Sequence, residues 1–169
     1  RILSAEEDLK GKKIVVTAGP TVEHIDPVRY ITNPSTGKMG YEIAKAASQR
    51  GAEVVLVSGK VNLGKPAGVE LIHVETTKDM LNAVLKNYED ADAVIKAAAP
   101  CDYKPIEMAV HKIKKTSDNM MLQLTRTEDI AKTLGENKKN QKLIIFAAET
   151  NDLEENAKAK CKRKNADMV

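Results

Sequence analysis

The stretch Thr17–Gly40, TAGPTVEHIDPVRYITNPSTGKMG, decides the fold. It follows an apolar strand, Lys13-Ile14-Val15-Val16-Thr17-Ala18, and runs into a helix that begins near Gly37 and carries Ile43, Ala44, Ala46 and Ala47. A strand leading through a glycine-bearing loop into a helix start is how α/β proteins build phosphate sites. Free backbone N–H groups and the helix dipole converge there on an anion. Gly37 and Gly40 sit at the helix start beside the hydroxyls of Ser35 and Thr36, and Ser35, Gly37, Lys38 and Gly40 form a candidate phosphate-binding loop. Neither common template fits. The dinucleotide fingerprint G-x-G-x-x-G meets Ser35 where it needs glycine, and the pattern G-x-x-x-x-G-K-[ST] meets Thr32 and Met39. The insertion from Gly19 to Pro34 is too long for a plain turn, and its polar, proline-punctuated composition suits a binding loop or mobile lid.

Outward from this loop, strands and helices alternate. Val54–Val57 is a buried strand entered through Gly51, which suits the residue just past a helix end. Leu71–Val74 is a third strand. Thr76 or Thr77 caps the next helix, whose apolar face is Met80, Leu81, Val84 and Leu85. Ala91–Ala99 reads as a fourth strand and Lys142–Ala148 as a late one. Between them Thr127 is expected to cap a short helix that ends before Gly135. Asp152–Lys164 is a long helix, and Ala166–Val169 the start of another strand, so the sequence is expected to be part of a longer chain. The alternation predicts an α/β, Rossmann-like, mostly parallel sheet with helices on both faces. One stretch departs from it: Lys112–Lys115 and Met120–Leu124, flanking the polar Thr116–Asn119, read as an inserted antiparallel hairpin arm or flap. Residues 1–11 read as a linker or lead-in from an upstream domain, and residues 12–169 as one domain.

The composition bounds the class. With 169 residues, 42% hydrophobic and 30% charged, the chain suits one globular domain, and 3% aromatics leaves the core to aliphatic residues. A net charge of +3 permits anionic ligands without demanding nucleic acid. Two cysteines, Cys101 and Cys161, without a C-x-x-C spacing favour a reducing compartment, and no apolar run approaches a membrane span. A cytoplasmic location is expected. The histidines His24, His73 and His111 lack metal-ligand spacing, so no metal-ligating residue is assigned.

Six ordered motifs carry a family resemblance: Ala18-Gly19-Pro20-Thr21; Ile25-Asp26-Pro27-Val28-Arg29; Asn33-x-Ser35-x-Gly37-Lys38-Met39-Gly40; Ala97-Ala98-Ala99 with Asp102-Tyr103; Lys112–Lys115; and Phe146–Thr150. Together they resemble the phosphopantothenoylcysteine synthetase family, from about Leu9 to the end. In many bacteria this activity is the C-terminal half of a bifunctional coenzyme A biosynthesis protein, behind a flavin-dependent decarboxylase. The chain departs from the family pattern at Thr127-Glu128-Asp129, at Pro100-Cys101 and at Lys96, which sits in an otherwise buried strand.

The resemblance implies a phosphopantothenate–cysteine ligase that uses CTP. The carboxylate of 4′-phosphopantothenate attacks the α-phosphorus to give an acyl-cytidylate and pyrophosphate, then the amine of L-cysteine displaces CMP. Asn33, Lys112 and Arg29 would be catalytic. Taken alone, Asn33 suits an Asx turn before Pro34, Arg29 a surface site, and Lys112 a solvated basic cluster. The nucleotide would meet Lys96, Ala97, Ala98, Asp102, Lys112, Thr127, Glu128, Asp129, Ile130, Phe146, Lys160 and Lys164. Lys160 and Lys164, one helical turn apart, would hold phosphates. Mg2+ would bridge phosphate oxygens rather than occupy an all-protein site. The resemblance further implies a homodimer through the hairpin region and a fused upstream decarboxylase domain, the only place for FMN. No nucleic-acid or membrane partner is expected. Two rival readings remain: an NAD(P)-binding Rossmann oxidoreductase, disfavoured because Ser58 stands where a ribose-holding acid belongs, and a non-enzymatic basic module binding nucleotides or nucleic acid.

Overall fold

The computed structural model describes residues 7–115, 119–147 and 152–169, with only the backbone of Leu153. Ala148, Glu149 and Thr150 of the last motif, residues 116–118 of the expected hairpin and the first six residues lie outside the described residues. In chain order the elements are β1 (Lys13–Ala18), β2 (Val22–His24), β3 (Tyr30–Thr32), α1 (Lys38–Gln49), β4 (Glu53–Ser58), β5 (Val69–His73) and α2 (Thr77–Lys86). They continue with β6 (Ala93–Lys96), β7 (Tyr103–Pro105), β8 (Leu124–Arg126), α3 (Ile130–Glu136), β9 (Lys142–Ile145) and α4 (Leu153–Arg163).

Five strands form a parallel sheet in the order β5-β4-β1-β6-β9. The central strands are apolar on both faces because each face has its own layer. Along β1 and β4, Val15, Val55 and Val57 point to one side, where they meet Met80, Leu81 and Val84 of α2 and Ile130 and Leu134 of α3. Their neighbours Ile14, Val16, Ala18, Val54 and Leu56 point to the other side, against Tyr41, Ala44 and Ala47 of α1. The two-residue period of a strand thus feeds both layers. The order reverses direction at β1, between β4 and β6, and the ends of strands at such a reversal are where open α/β sheets place ligands.

Local signals set most boundaries. Thr76 caps α2 and forms a capping box with Asp79. Gly51, just past α1, has φ 88° and closes that helix by donating to Ser48 O. Leu85, expected on the apolar face of α2, is 37% exposed at its margin, while Met80, Leu81 and Val84 carry the burial. The helix expected to be capped by Thr127 is capped by Asp129, whose carboxylate accepts from Lys132 N at 3.0 Å. Thr127 is engaged elsewhere, its Oγ1 donating to Cys101 O at 2.5 Å and its N–H to Asp102 O at 3.0 Å. Gly135 does not stop this helix but lies inside it. A Cβ there would sit 1.9 Å from Lys164 O, so glycine allows the end of α4 to pack on α3.

The antiparallel insertion is present, with a different pairing from the expected one. Tyr103–Pro105 pairs with Leu124–Arg126, extended by Ile106 N donating to Gln123 O. Residues 112–115 and 120–123 form no ladder. Met120 and Met121 stay 52% and 92% exposed, so no burial fixes a register there. The long loop after β1 holds a second short hairpin, β2–β3, that alternation alone does not reveal. Ala166–Val169 makes a single bridge, Met168 to Ile144, beside β9.

Gly40 has a packing role that its place in the candidate phosphate loop does not suggest. An added Cβ would meet Ala18 Cβ at 2.6 Å and Thr17 O at 2.8 Å, so α1 approaches β1 only because residue 40 lacks a side chain. Gly40→Ala gains helix propensity, yet the clash with strand backbone outweighs it. A net loss of about 1–3 kcal/mol is expected, read as a lower urea midpoint at unchanged slope.

Candidate functional site

A cleft of about 830 Å3 opens where β6 and β9 end. Lys96, at the end of β6, and Phe146, just past β9, stand on its sheet side. Asp102 follows β6 on one wall, residues 127–130 lead into α3 on another, and Lys160 and Lys164 close it from the end of α4. Nine residues assigned to the nucleotide from sequence therefore line one space: Lys96, Asp102, Thr127, Glu128, Asp129, Ile130, Phe146, Lys160 and Lys164. Ala97 and Ala98 follow Lys96 at its edge, with Ala98 N donating to Thr17 Oγ1 at 3.2 Å. The single phenylalanine is 47% exposed, so Phe146 lines the cleft instead of filling the core.

Six basic residues line the cleft against three acidic ones, the balance of an anion site. Lys164 pairs with Asp129, and Lys104 reaches Glu128 at 3.4 Å. The other Glu128 oxygen, Oε2, is buried and has no hydrogen-bond partner among the described residues. A buried acceptor in that state offers itself to a ligand N–H.

Asn33, Arg29 and Lys112 lie outside this cleft's lining, and Asn33 is bonded to a residue of it. Asn33 Nδ2 donates to Pro100 O at 3.0 Å, and Pro100 lines the cleft. The guanidinium of Arg29 forks onto Asp26, with Nε and Nη2 at 3.0 and 2.5 Å from Oδ2, and Nη2 also donates to Ile113 O at 3.0 Å. Lys112 is exposed beside that anchored residue. The structure thus brings Arg29 next to the main chain of the Lys112 segment, 84 positions away in sequence.

The Ser35–Gly40 loop forms a third place. Gly37 caps α1 with φ 73°, and Val61 Cγ1 lies 2.8 Å from the position of a Cβ on either Gly19 or Gly37. Ser35 Oγ and Thr36 Oγ1 accept long 3.4 Å bonds from Gly37 N and Lys38 N, so these hydroxyls face the same N–H groups an anion would use. Lys38 lines a separate groove of about 370 Å3 with Tyr41 and Lys45.

A family model described as the DNA/pantothenate metabolism flavoprotein C-terminal domain matches residues 9–169. The chain belongs to this family. The coenzyme A biosynthesis bifunctional protein CoaBC of Bacillus subtilis (strain 168) is 53% identical over 162 residues, covering 95% of this chain and 40% of that protein. The crystal structure of the C-terminal domain of CoaBC is similar with a TM-score of 0.85 at 51% identity, covering 95% of this chain and 77% of that one. The DNA/pantothenate metabolism flavoprotein from Streptococcus pneumoniae is similar with a TM-score of 0.80 at 27% identity, covering 94% and 81%. The chain spans about two fifths of the length of the curated relatives it matches.

Within this flavoprotein C-terminal domain, three cleft cations escaped the sequence reading: Arg126, Lys132 and Arg163. Arg163 was accessible from spacing, since residues 160, 163 and 164 share a helical face. Arg126 was not, because its place depends on the β7–β8 pairing. Lys96 is the cation whose surroundings matter most. Although its side chain keeps some solvent contact, dense protein around it lowers the ammonium pKa from 10.5 to about 8. Asp129 and Asp102 oppose that fall, and Lys160 and Lys164 add to it. For Asp129, burial pushes the carboxyl up, but the Lys164 bond, the Lys132 N–H and the charges of Lys164 and Lys96 hold it below its ordinary value.

The sign of the Lys96 effect is definite. A lysine whose folded pKa is depressed costs stability while charged and stops doing so as pH rises from about 8 towards 10.5. Its anion affinity moves the other way, because the neutral amine no longer attracts phosphate. Binding of inorganic triphosphate is therefore expected to weaken progressively above pH 8. Lys96→Met is expected to remove most of that dependence between pH 8 and 9, as measured by calorimetry across pH.

Proposed function

We propose that this domain is the ligase that joins 4′-phosphopantothenate to L-cysteine with CTP, by way of an acyl-cytidylate. The observation that carries the reading is the basic cleft at the ends of β6 and β9, with an exposed Phe146 and an unpartnered Glu128 oxygen, backed by Asn33 on Pro100. Its support from relatives is that CoaBC proteins are named for coenzyme A biosynthesis.

In the first step a carboxylate oxygen of phosphopantothenate bonds to the α-phosphorus of CTP. The bond from that phosphorus to the bridging oxygen breaks, and pyrophosphate leaves. In the second, the cysteine nitrogen bonds to the acyl carbon, the carbon–oxygen bond to CMP breaks, and the nitrogen loses a proton. Activation is needed because a carboxylate oxygen is a poor leaving group, whereas CMP is a good one. Lys160, Lys164 and Lys96 hold phosphates, with Lys164 exchanging Asp129 for the ligand. Lys112 neutralises charge building on the phosphate during the first step. Asn33 turns an amide N–H to the acyl oxygen as it becomes negative in the second. A triphosphate is the same on CTP and ATP, so the choice of base falls to Asp102, Glu128 and Phe146. Mg2+ would enter with the nucleotide and would supply neutralising charge for its phosphates.

The same reading puts FMN on a fused decarboxylase domain, a homodimer through the hairpin region, and the work in the cytoplasm. No helix among the described residues is long and apolar enough to cross a membrane. Against the dinucleotide reading, Ser58 ends β4 where a ribose-holding acid would stand, and the β4 exit is closed over: a Cβ on Gly59 would lie 1.7 Å from Pro20 O.

The deciding experiment follows pyrophosphate release by the full-length protein with each nucleotide, with and without phosphopantothenate. Release is expected only with CTP and phosphopantothenate together. No release, combined with NADP binding by calorimetry, would overturn the reading.

Asn33→Asp separates the half-reactions. Loss of the donor is expected to slow cysteine attack by about 10²-fold, roughly 3 kcal/mol, while a single turnover of pyrophosphate is still released. The acyl-cytidylate then accumulates and is seen by mass spectrometry after quenching. A folded variant that releases no pyrophosphate would move Asn33 to the first step.

A further inference from the structure

Asp26 is fully buried, and the two oxygens of its carboxylate do different work. Oδ1 accepts from Val28 N at 2.9 Å and Arg29 N at 2.8 Å, which is all that the local turn after Pro27 requires. Oδ2 is turned away from that turn. It accepts from the Arg29 guanidinium and from Ile113 N at 3.1 Å, 87 positions along the chain. Arg29 Nη2 then reaches Ile113 O, so both polar atoms of one peptide residue are held by the Asp26–Arg29 pair. Ala109 N donates to Ile25 O at 2.9 Å and pins the same segment four residues earlier. Lys112 lies between these two anchors, on a stretch with no ladder of its own.

The other end of the connection is equally fixed. Arg29 leads directly into β3, whose ladder with β2 carries the chain to Asn33 on the Pro100 wall of the cleft. An otherwise irregular segment is thereby referenced, through one buried carboxylate, to Asn33 at the Pro100 wall.

From this geometry we infer that Asp26 is a positioning residue for the proposed ligase reaction, holding the Lys112 segment in register with Asn33 through Ile113. The inference rests on the ligase reading for its functional part and on the structure alone for the anchor. The carboxylate charge matters to the device. Five N–H donors converge on Asp26, and an amide in its place would aim hydrogens at some of them. The guanidinium holds the Asp26 carboxyl well below the usual carboxylate range, so it stays ionised at neutral pH.

Two measurements on the full-length protein test this. In the unsubstituted protein, the Ile113 amide is expected to exchange with deuterium at least about tenfold more slowly than the amides of Lys112 and Lys114, since hydrogen-bonded amides need local opening to exchange. Equal rates would remove the anchor and overturn the inference without any variant having to fold. In Asp26→Asn, Ile113 protection is expected to vanish, and kcat for pyrophosphate release to fall about tenfold or more, with KM for CTP within about twofold. That split marks a positioning role, because the cleft that binds nucleotide is untouched. A folded Asp26→Asn protein with unchanged kcat, or with CTP binding lost in proportion, would overturn it. If the unsubstituted protein releases no pyrophosphate from CTP, the ligase reading falls and the positioning role with it. The exchange measurement would then identify Asp26 as a purely structural latch.

Discussion

The loops leaving β1 and β6 are bonded to each other, and the site depends on that junction. Ala99 N donates to Gly19 O, Pro20 bridges Ala99, Cys101 N donates to the Thr21 hydroxyl, and Asn33 Nδ2 reaches Pro100 O. Gly19 sits at φ 73° and abuts Gly37 and the Gly59 carbonyl, a backbone arrangement that side chains would block. Because these loops leave neighbouring strands at the reversal of the sheet, their contacts turn two separate connections into one wall. On one side of the wall lies the basic cleft. On the other lies the β2–β3 hairpin with Asn33 and Arg29.

Buried polar groups hold this wall in one arrangement. The hydroxyls of Thr21 and Thr77 meet at 2.9 Å, Thr77 also donates to Cys101 O at 3.3 Å, and the buried Glu23 carboxylate accepts from Thr77 N. Each group would be costly to leave unpaired, and satisfied together they tie the start of α2 to both loops. The cleft itself is organised differently. Its carboxylates are held by ion pairs, Lys104–Glu128 at 3.4 Å and Lys164–Asp129.

The parallel core was legible in the sequence because its signals are local. The apolar runs at Ile14–Val16, Val54–Val57 and Leu143–Ile145 are bounded by turn signals and read as buried strands, and a threonine at 76 or 77 marks the start of a helix. The helix start at Gly37 and the glycine after α1 were equally readable. Where local signals were weak, the reading went astray. The exposed methionines at 120 and 121 lend an apolar look to a segment that pairs with nothing. Gly135 resembles a stop signal but serves a close approach to Lys164.

Sequence by itself therefore determined the α/β alternation and the glycine-bearing loop between the first strand and α1, and the family resemblance named nine of the residues that share the cleft. Periodicity, caps and ordered motifs are written in consecutive residues, so they survive without coordinates. Only the tertiary structure decided that Phe146 is exposed, that Arg126 and Arg163 join the cleft, that Arg29 is bound to Asp26, and that Ile113 hangs from the same carboxylate. Most of these facts depend on partners far apart in the chain, as Ile113 is 87 positions from Asp26. A hydrogen bond across that separation leaves no pattern in the chain, because its geometry exists only once the sheet has brought both ends together.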